Sequence, residues 1–224
     1  MSDKLQHYYT IFNEISDLRE QGQDQQAIER CLVAEIEAEY KGDEGYALFF
    51  NSEKHCIRGD FRRGAESARL AVEKLPDVHF CLTNYAIILS MRGHIRPALE
   101  ILDRALVLNK DDIVAWSQKG VCLAKIRHET EAIPCFDQVL RLDPDNRHAL
   151  RNKGVSLRRI GRVYEAMLLF DRVLELSPND SHARWEKKIL QDELNLKGTP
   201  LGWLFIWTRK VLIPIVKRWT HQSD

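Results

Sequence analysis

An all-α solenoid of antiparallel helix pairs is the fold class this sequence predicts, and three observations carry the prediction. Apolar residues recur at helical spacing along most of the chain, similar blocks return every 34 residues, and small residues and prolines keep fixed places within the blocks. The repeat is plainest where Ile113–Asn146 is laid over Arg147–Asp180 without a gap. Fourteen positions then agree, from Ala115/Ala149 through Gly120/Gly154, Ala132/Ala166 and Phe136/Phe170 to Pro144/Pro178. Unrelated helical segments rarely match so densely in one register.

The same register runs backward through His79–Asp112, with Ala86, Gly93, Ala98 and Ala105 on small-residue positions, and through Gly45–Val78, with Gly59, Ala71 and Pro76. Each copy reads as two helical stretches of about a dozen residues around a turn, which holds glycine in three copies and Arg127 in the other. Gly120 with Ala132, and Gly154 with Ala166, leave little side chain between the two backbones, so the helices can approach closely; Phe136 and Phe170 fill the remaining space. Proline in Leu142–Pro144 and Leu176–Pro178 stops the second helix, because it lacks an amide donor and restricts the residue before it.

In this arrangement Trp116, Gly120, Ala132, Phe136 and Pro144, and again Leu150, Gly154, Ala166, Phe170 and Pro178, resemble the pattern of the tetratricopeptide repeat family. The resemblance implies a right-handed solenoid of antiparallel helix pairs with a C-terminal helix. Copy 45–78 departs from the pattern with Ser52 and Gly64 at its first two small positions, and looser packing is expected there. The expected organisation is a degenerate helix pair over 1–44, four tandem repeats over 45–180, a capping helix or partial repeat over 181–197 with Trp185, Ile189 and Leu194 as its apolar positions, and an apolar, basic helical segment over 198–224. A solenoid needs caps, since an open end exposes half of a core.

In the family, the first helices of successive repeats line a concave groove that holds a peptide or a helix of another protein. Carried onto this sequence, the positions that face such a groove include Phe49 and Glu53, then Phe80, Thr83, Asn84 and Ile87, then Ser117 and Val121, then His148, Arg151, Val155 and Arg158. The groove would be aromatic and apolar toward its amino-terminal half and basic toward its carboxy-terminal half, which suits an acidic peptide; the alternative is that these charges only solvate a helix surface. The two-carboxylate clamp of the family's chaperone adaptors is poorly matched, since the corresponding residues are Phe49, Glu53, Asn84, Val114 and Gln118 and only Asn84 conforms. The partner is expected to be a protein or peptide.

Composition narrows the remaining classes. Thirty-three basic residues against thirty-three acidic give no net field for nucleic acid. The eight histidines are scattered, no HExxH, phosphate loop or GxSxG elbow occurs, and so no catalytic residue, metal or cofactor is assigned. Five cysteines without a CxxC pair, and an amino terminus without an apolar h-region, suggest a reduced, cytoplasmic setting.

The last segment is chemically distinct. From Asn195 to Ser223 there is no acidic residue, whereas residues 201–219 combine Trp203, Trp207 and Trp219 with Arg209, Lys210, Lys217 and Arg218. Arg209 and Lys210 at the middle of a bilayer would cost roughly 2.5–3.5 kcal/mol each, so a membrane span is disfavoured. Three placements stay open: capping of the last repeat by Leu204, Trp207, Val211 and Ile215; attachment to an anionic membrane surface; or contact with a partner or a second copy. The functional expectation is a non-enzymatic interaction adaptor or scaffold, with a membrane-surface assembly factor anchored by 201–219 as the alternative.

Overall fold

The computed structural model describes residues 3–196, and the expectations for Trp203, Trp207, Arg209, Lys210, Lys217, Arg218 and Trp219 lie outside the described residues. The described residues form eleven helices and no strand. The chain divides into two compact units, Met1–Leu142 and Asp143–Asp224.

The first unit holds four helix pairs: α1 (Asp3–Glu20) with α2 (Asp24–Tyr40), α3 (Glu44–Ile57) with α4 (Phe61–Lys74), α5 (His79–Met91) with α6 (Ile95–Leu108), and α7 (Ile113–Lys125) with α8 (Glu129–Leu142). Its core is a continuous cluster running from Tyr8 and Ile11 through Phe50, Leu82, Ala98 and Leu102 to Ala115 and Cys122. The second unit holds α9 (Arg147–Arg159) and α10 (Val163–Leu176) as a pair, followed by α11 (Ser181–Leu196).

Within the pairs, the glycine and phenylalanine positions meet as their spacing requires. A Cβ built on Gly120 would stand 2.6 Å from the Phe136 ring, and one on Gly154 would stand 2.9 Å from the Phe170 ring. Both rings are fully buried, so each glycine admits an aromatic face where any side chain would overpack. Copy 45–78 is not looser, contrary to the sequence expectation. Ser52 Oγ donates to the Gly64 carbonyl at 2.9 Å, and a Cβ on Gly64 would lie 2.6 Å from Cys56 Sγ. Serine and cysteine there replace the aromatic filling with an equally close backbone approach.

The same contrast appears in α11. Trp185 is 57% exposed and Ile189 only partly buried, while Ala183, Glu186 and Leu190 form the buried stripe. The apolar residues at 185 and 189 suggested the wrong face, because Glu186 is buried by its pairing with an arginine described below.

Capping shares the repeat period. Asp112, Asn146 and Asp180 stand 34 residues apart, and their side chains accept from the amides of Ala115, Ala149 and Ala183 at 2.9, 3.0 and 2.8 Å. Each satisfies an amide that the first helical turn leaves without a partner, an effect of about 1 kcal/mol.

The turn between α7 and α8 shows one departure. Arg127 has φ 66°, the left-handed conformation that Gly161 adopts at the equivalent point of the next copy with φ 86°. The hydrogen bond from the His128 amide to the Leu123 carbonyl, 3.0 Å, holds this geometry despite the Cβ. Arg127→Gly is therefore expected to stabilise the protein by about 1 kcal/mol. Urea denaturation followed by circular dichroism checks this; a midpoint equal to or below that of the wild type would show that the turn is not strained.

Candidate functional site

The described residues place a groove of about 570 Å³ within the first unit. One wall is α1, through Tyr9, Phe12, Asn13, Ser16 and Arg19; the other runs over Glu53 and Cys56 of α3, Phe80, Thr83, Asn84, Ile87 and Met91 of α5, and Val114 of α7. Glu20 and Asp24 line it at the α1–α2 turn.

An aromatic stack fixes the base of the α1 wall. Phe12 lies parallel to Phe80 with ring centroids 5.6 Å apart, and Tyr9 stands 5.5 Å from the same ring. Phe49 meets Phe80 edge-on at 5.1 Å and Phe12 edge-on at 5.4 Å. Such offset and edge-on pairs add to the burial of large apolar rings, so α1 is held across α3 and α5 by its own side chains. As a result Phe49 and Phe80 are 1% and 2% exposed. The sequence expectation that these rings form an open aromatic surface is thereby corrected: α1 covers them, Phe49 lies outside the groove lining, and Phe80 only floors it.

Polar groups lie at the same depth. Asp112 accepts from Thr83 Oγ1 at 3.1 Å and pairs with His79 Nδ1 at 2.9 Å, in addition to capping α7. Burial opposes its charge, but the bonds from His79, the Ala115 amide and Thr83 prevail and hold its pKa below the ordinary value. Glu53 is 3% exposed, and burial raises its pKa although Arg19, 3.6 Å away, pulls the other way. Asn84 is 6% exposed, lines the groove, and its Nδ2 has no hydrogen-bond partner. A buried amide donor without an acceptor is costly unless something else completes it.

The remaining expected site residues lie elsewhere. Ser117 and Val121 are half-buried on α7, Val121 packing against the cluster of Leu123, Ala132, Cys135 and Phe136. His148, Arg151, Val155 and Arg158 belong to the second unit. There the expected free basic face is corrected, because both arginines are already engaged. Arg151 donates to Asp180 at 3.2 Å, and Arg158 Nε lies 2.7 Å from Glu186 Oε2, which is itself in a residue only 2% exposed. The Arg158 and Glu186 atoms are close without hydrogen-bond alignment, so their contact is a charge pairing.

A single rule accounts for part of this. Thr83 and Arg151 occupy the fifth position of their copies, and each bonds the aspartate 29 residues later that caps a following helix. The fifth position is thus taken by the repeat itself in these two copies. The α1 wall had a signal too: positions two, five, nine and twelve of residues 8–41 are Tyr9, Phe12, Ser16 and Arg19, all of which line the groove. The degenerate small-residue pattern of that copy hid them. Thiol chemistry is not favoured at the groove, since burial pushes Cys56 up to about 12.

Two outcomes test these assignments. Asp112→Ala removes a cap and strands His79 and Thr83, and is expected to cost about 2–4 kcal/mol by urea denaturation at neutral pH. Because the folded pKa of Asp112 is depressed, its contribution is present above the usual carboxylate range and lost as pH falls through the lower folded value; the acid limb of the stability profile, below about pH 4, should be shallower in the variant. Arg158→Glu should destabilise the second unit by about 3–5 kcal/mol, since it buries a second carboxylate against Glu186. A variant as stable as wild type in thermal denaturation would show that the pair is not buried.

Residues 123–181 match the tetratricopeptide repeat family. No curated protein matches the chain by sequence. Among solved structures, YrrB, described as a tetratricopeptide-repeat protein with an unusual peptide-binding site, is 21% identical over 80% of this chain and 90% of its own, with a TM-score of 0.60. A thermophilic repeat protein of Thermus thermophilus is 17% identical over 82% of this chain and 98% of its own, with a TM-score of 0.64. MamA of Desulfovibrio magneticus is 17% identical over 68% of this chain and 86% of its own, also with a TM-score of 0.64. Residues 123–181 thus carry the tetratricopeptide repeat, and the helix pairs of the described residues share the fold of these tetratricopeptide-repeat structures.

Proposed function

We propose that the chain is a non-enzymatic protein-interaction module that holds a peptide or helix of a partner in the groove of its first unit. The observation that carries this reading is the buried, unpartnered amide of Asn84, set beside the half-buried Ile87 and the exposed Met91 and Val114. Apolar side chains open to water next to an unanswered hydrogen-bond donor are what an incoming backbone segment satisfies.

Two proteins similar in fold lend support. YrrB has a peptide-binding site, and the first repeat domain of Spaghetti, 17% identical over 52% of this chain with a TM-score of 0.51, was solved bound to an HSP90 peptide. The reading does not extend to an acidic ligand. Arg151 and Arg158 have their own carboxylates, and the lining of the groove carries Glu20, Asp24 and Glu53 against Arg19. We place the protein in the cytoplasm, in keeping with five free cysteines. No helix among the described residues is long and apolar enough to cross a membrane, and attachment to a membrane surface rests on residues 201–219 alone.

Ile87→Arg places a charge in the groove from a half-buried position. A partner captured by the wild-type chain under native conditions should bind the variant at least about tenfold more weakly, a loss of roughly 1.4 kcal/mol, with unfolding midpoints kept within the range of a surface change. Equal affinity in a direct titration of that partner would place its site outside the groove.

A further inference from the structure

The chemistry of the groove matches a segment of this same sequence. Its lining is apolar at Phe12, Phe80, Ile87, Met91 and Val114, while Glu20 and Asp24, both exposed and without an ion-pair partner among the described residues, stand at one end. The sequence holds one stretch with the opposite character. Residues 201–219 are rich in tryptophan, leucine, isoleucine and valine, carry four cations and have no acidic residue. Of the four cations, Arg209 and Lys210 are adjacent, as are Lys217 and Arg218.

We propose that the groove of the first unit receives residues 201–219 of a second copy of this chain, apolar side chains against Phe80, Ile87, Met91 and Val114 and cations beside Glu20 and Asp24. The proposal rests on the reading of the groove as a recruiting surface, and it names the occupant. A backbone carbonyl of the incoming segment is the acceptor that Asn84 Nδ2 lacks.

Two features favour a second copy over a foreign basic peptide. The complementary sequence is present at the same concentration as the groove, because every chain carries both. The chain also balances thirty-three basic residues with thirty-three acidic ones, so copies approach without net repulsion. Groove and segment are different patches of one sequence, so two copies can exchange segments reciprocally or join head to tail, and either assembly grows with concentration.

The test uses the full chain with a photo-crosslinking benzoylphenylalanine in place of Met91, which is 55% exposed and so tolerates the change. After illumination, covalent dimers are expected whose crosslinked peptide, read by mass spectrometry, falls within 201–219. Their yield should rise with protein concentration. Glu20→Lys with Asp24→Lys should lower it about tenfold through two reversed rim pairings, and mixing with a copy carrying Lys217→Glu and Arg218→Glu should restore it. Both acidic positions are exposed, so circular dichroism should be unchanged. Crosslinks confined to one chain, crosslinks to any other segment, or no dimer at any concentration would overturn the proposal. These results are separable from the reading above: if Ile87→Arg still abolishes capture of a different protein while no crosslink reaches 201–219, the groove recruits partners and the self-recognition falls; if neither effect occurs, both fall.

Discussion

The close approach of a glycine backbone to a phenylalanine ring, Gly120 to Phe136 and Gly154 to Phe170, is the constraint on which the helix pairs depend. It fixes how near the first helix of a copy can come to the second, and the small residues at Ala132 and Ala166 keep the rest of each crossing open. With spacing set there, the remaining contacts need only be apolar and of suitable size. The pair of α3 and α4 reaches the same closeness by another route, a serine hydroxyl on the Gly64 carbonyl with a cysteine sulfur above the glycine.

These features were legible in the sequence to different degrees. The helices, the period and the glycine–aromatic pairs are periodic, and periodicity survives in one sequence without comparison. What a side chain faces once neighbouring copies assemble is not local. Trp185 reads as core from its size and spacing, yet it is exposed because Glu186, beside Arg158, takes the buried face of α11. Arg151 and Arg158 read as a basic surface for the same reason: the carboxylates that answer them arrive 28 or 29 residues later, beyond the helix that carries the arginines. Phe49 and Phe80 read as open aromatic surface on the same grounds, and α1 covers both.

The groove shows what a degenerate copy still contributes. The N-terminal copy has lost much of the small-residue pattern that marks the others, while keeping the residues that face inward at Tyr9, Phe12, Ser16 and Arg19. Its first helix therefore packs aromatic side chains where a ligand would otherwise find them and leaves open only the stretch toward Ile87, Met91 and Val114. The protein's own helix thus covers broad aromatic surface and leaves a channel lined by apolar side chains and carboxylates.

The capping residues at 34-residue intervals bear on how such a chain can change length. Asp112 ties the preceding copy, through His79 and Thr83, to the start of α7, and Asp180 does the same for Arg151 and α11. Each border residue thus belongs to two copies. Within residues 79–180, a gain or loss of one whole period brings one of these three capping side chains back before the helix that starts after it. A change in register keeps each of these caps in step with the helix it serves, whereas a gain or loss of any other length puts a cap out of step. Over that stretch the array accommodates a change of length by whole repeats better than by any other number of residues.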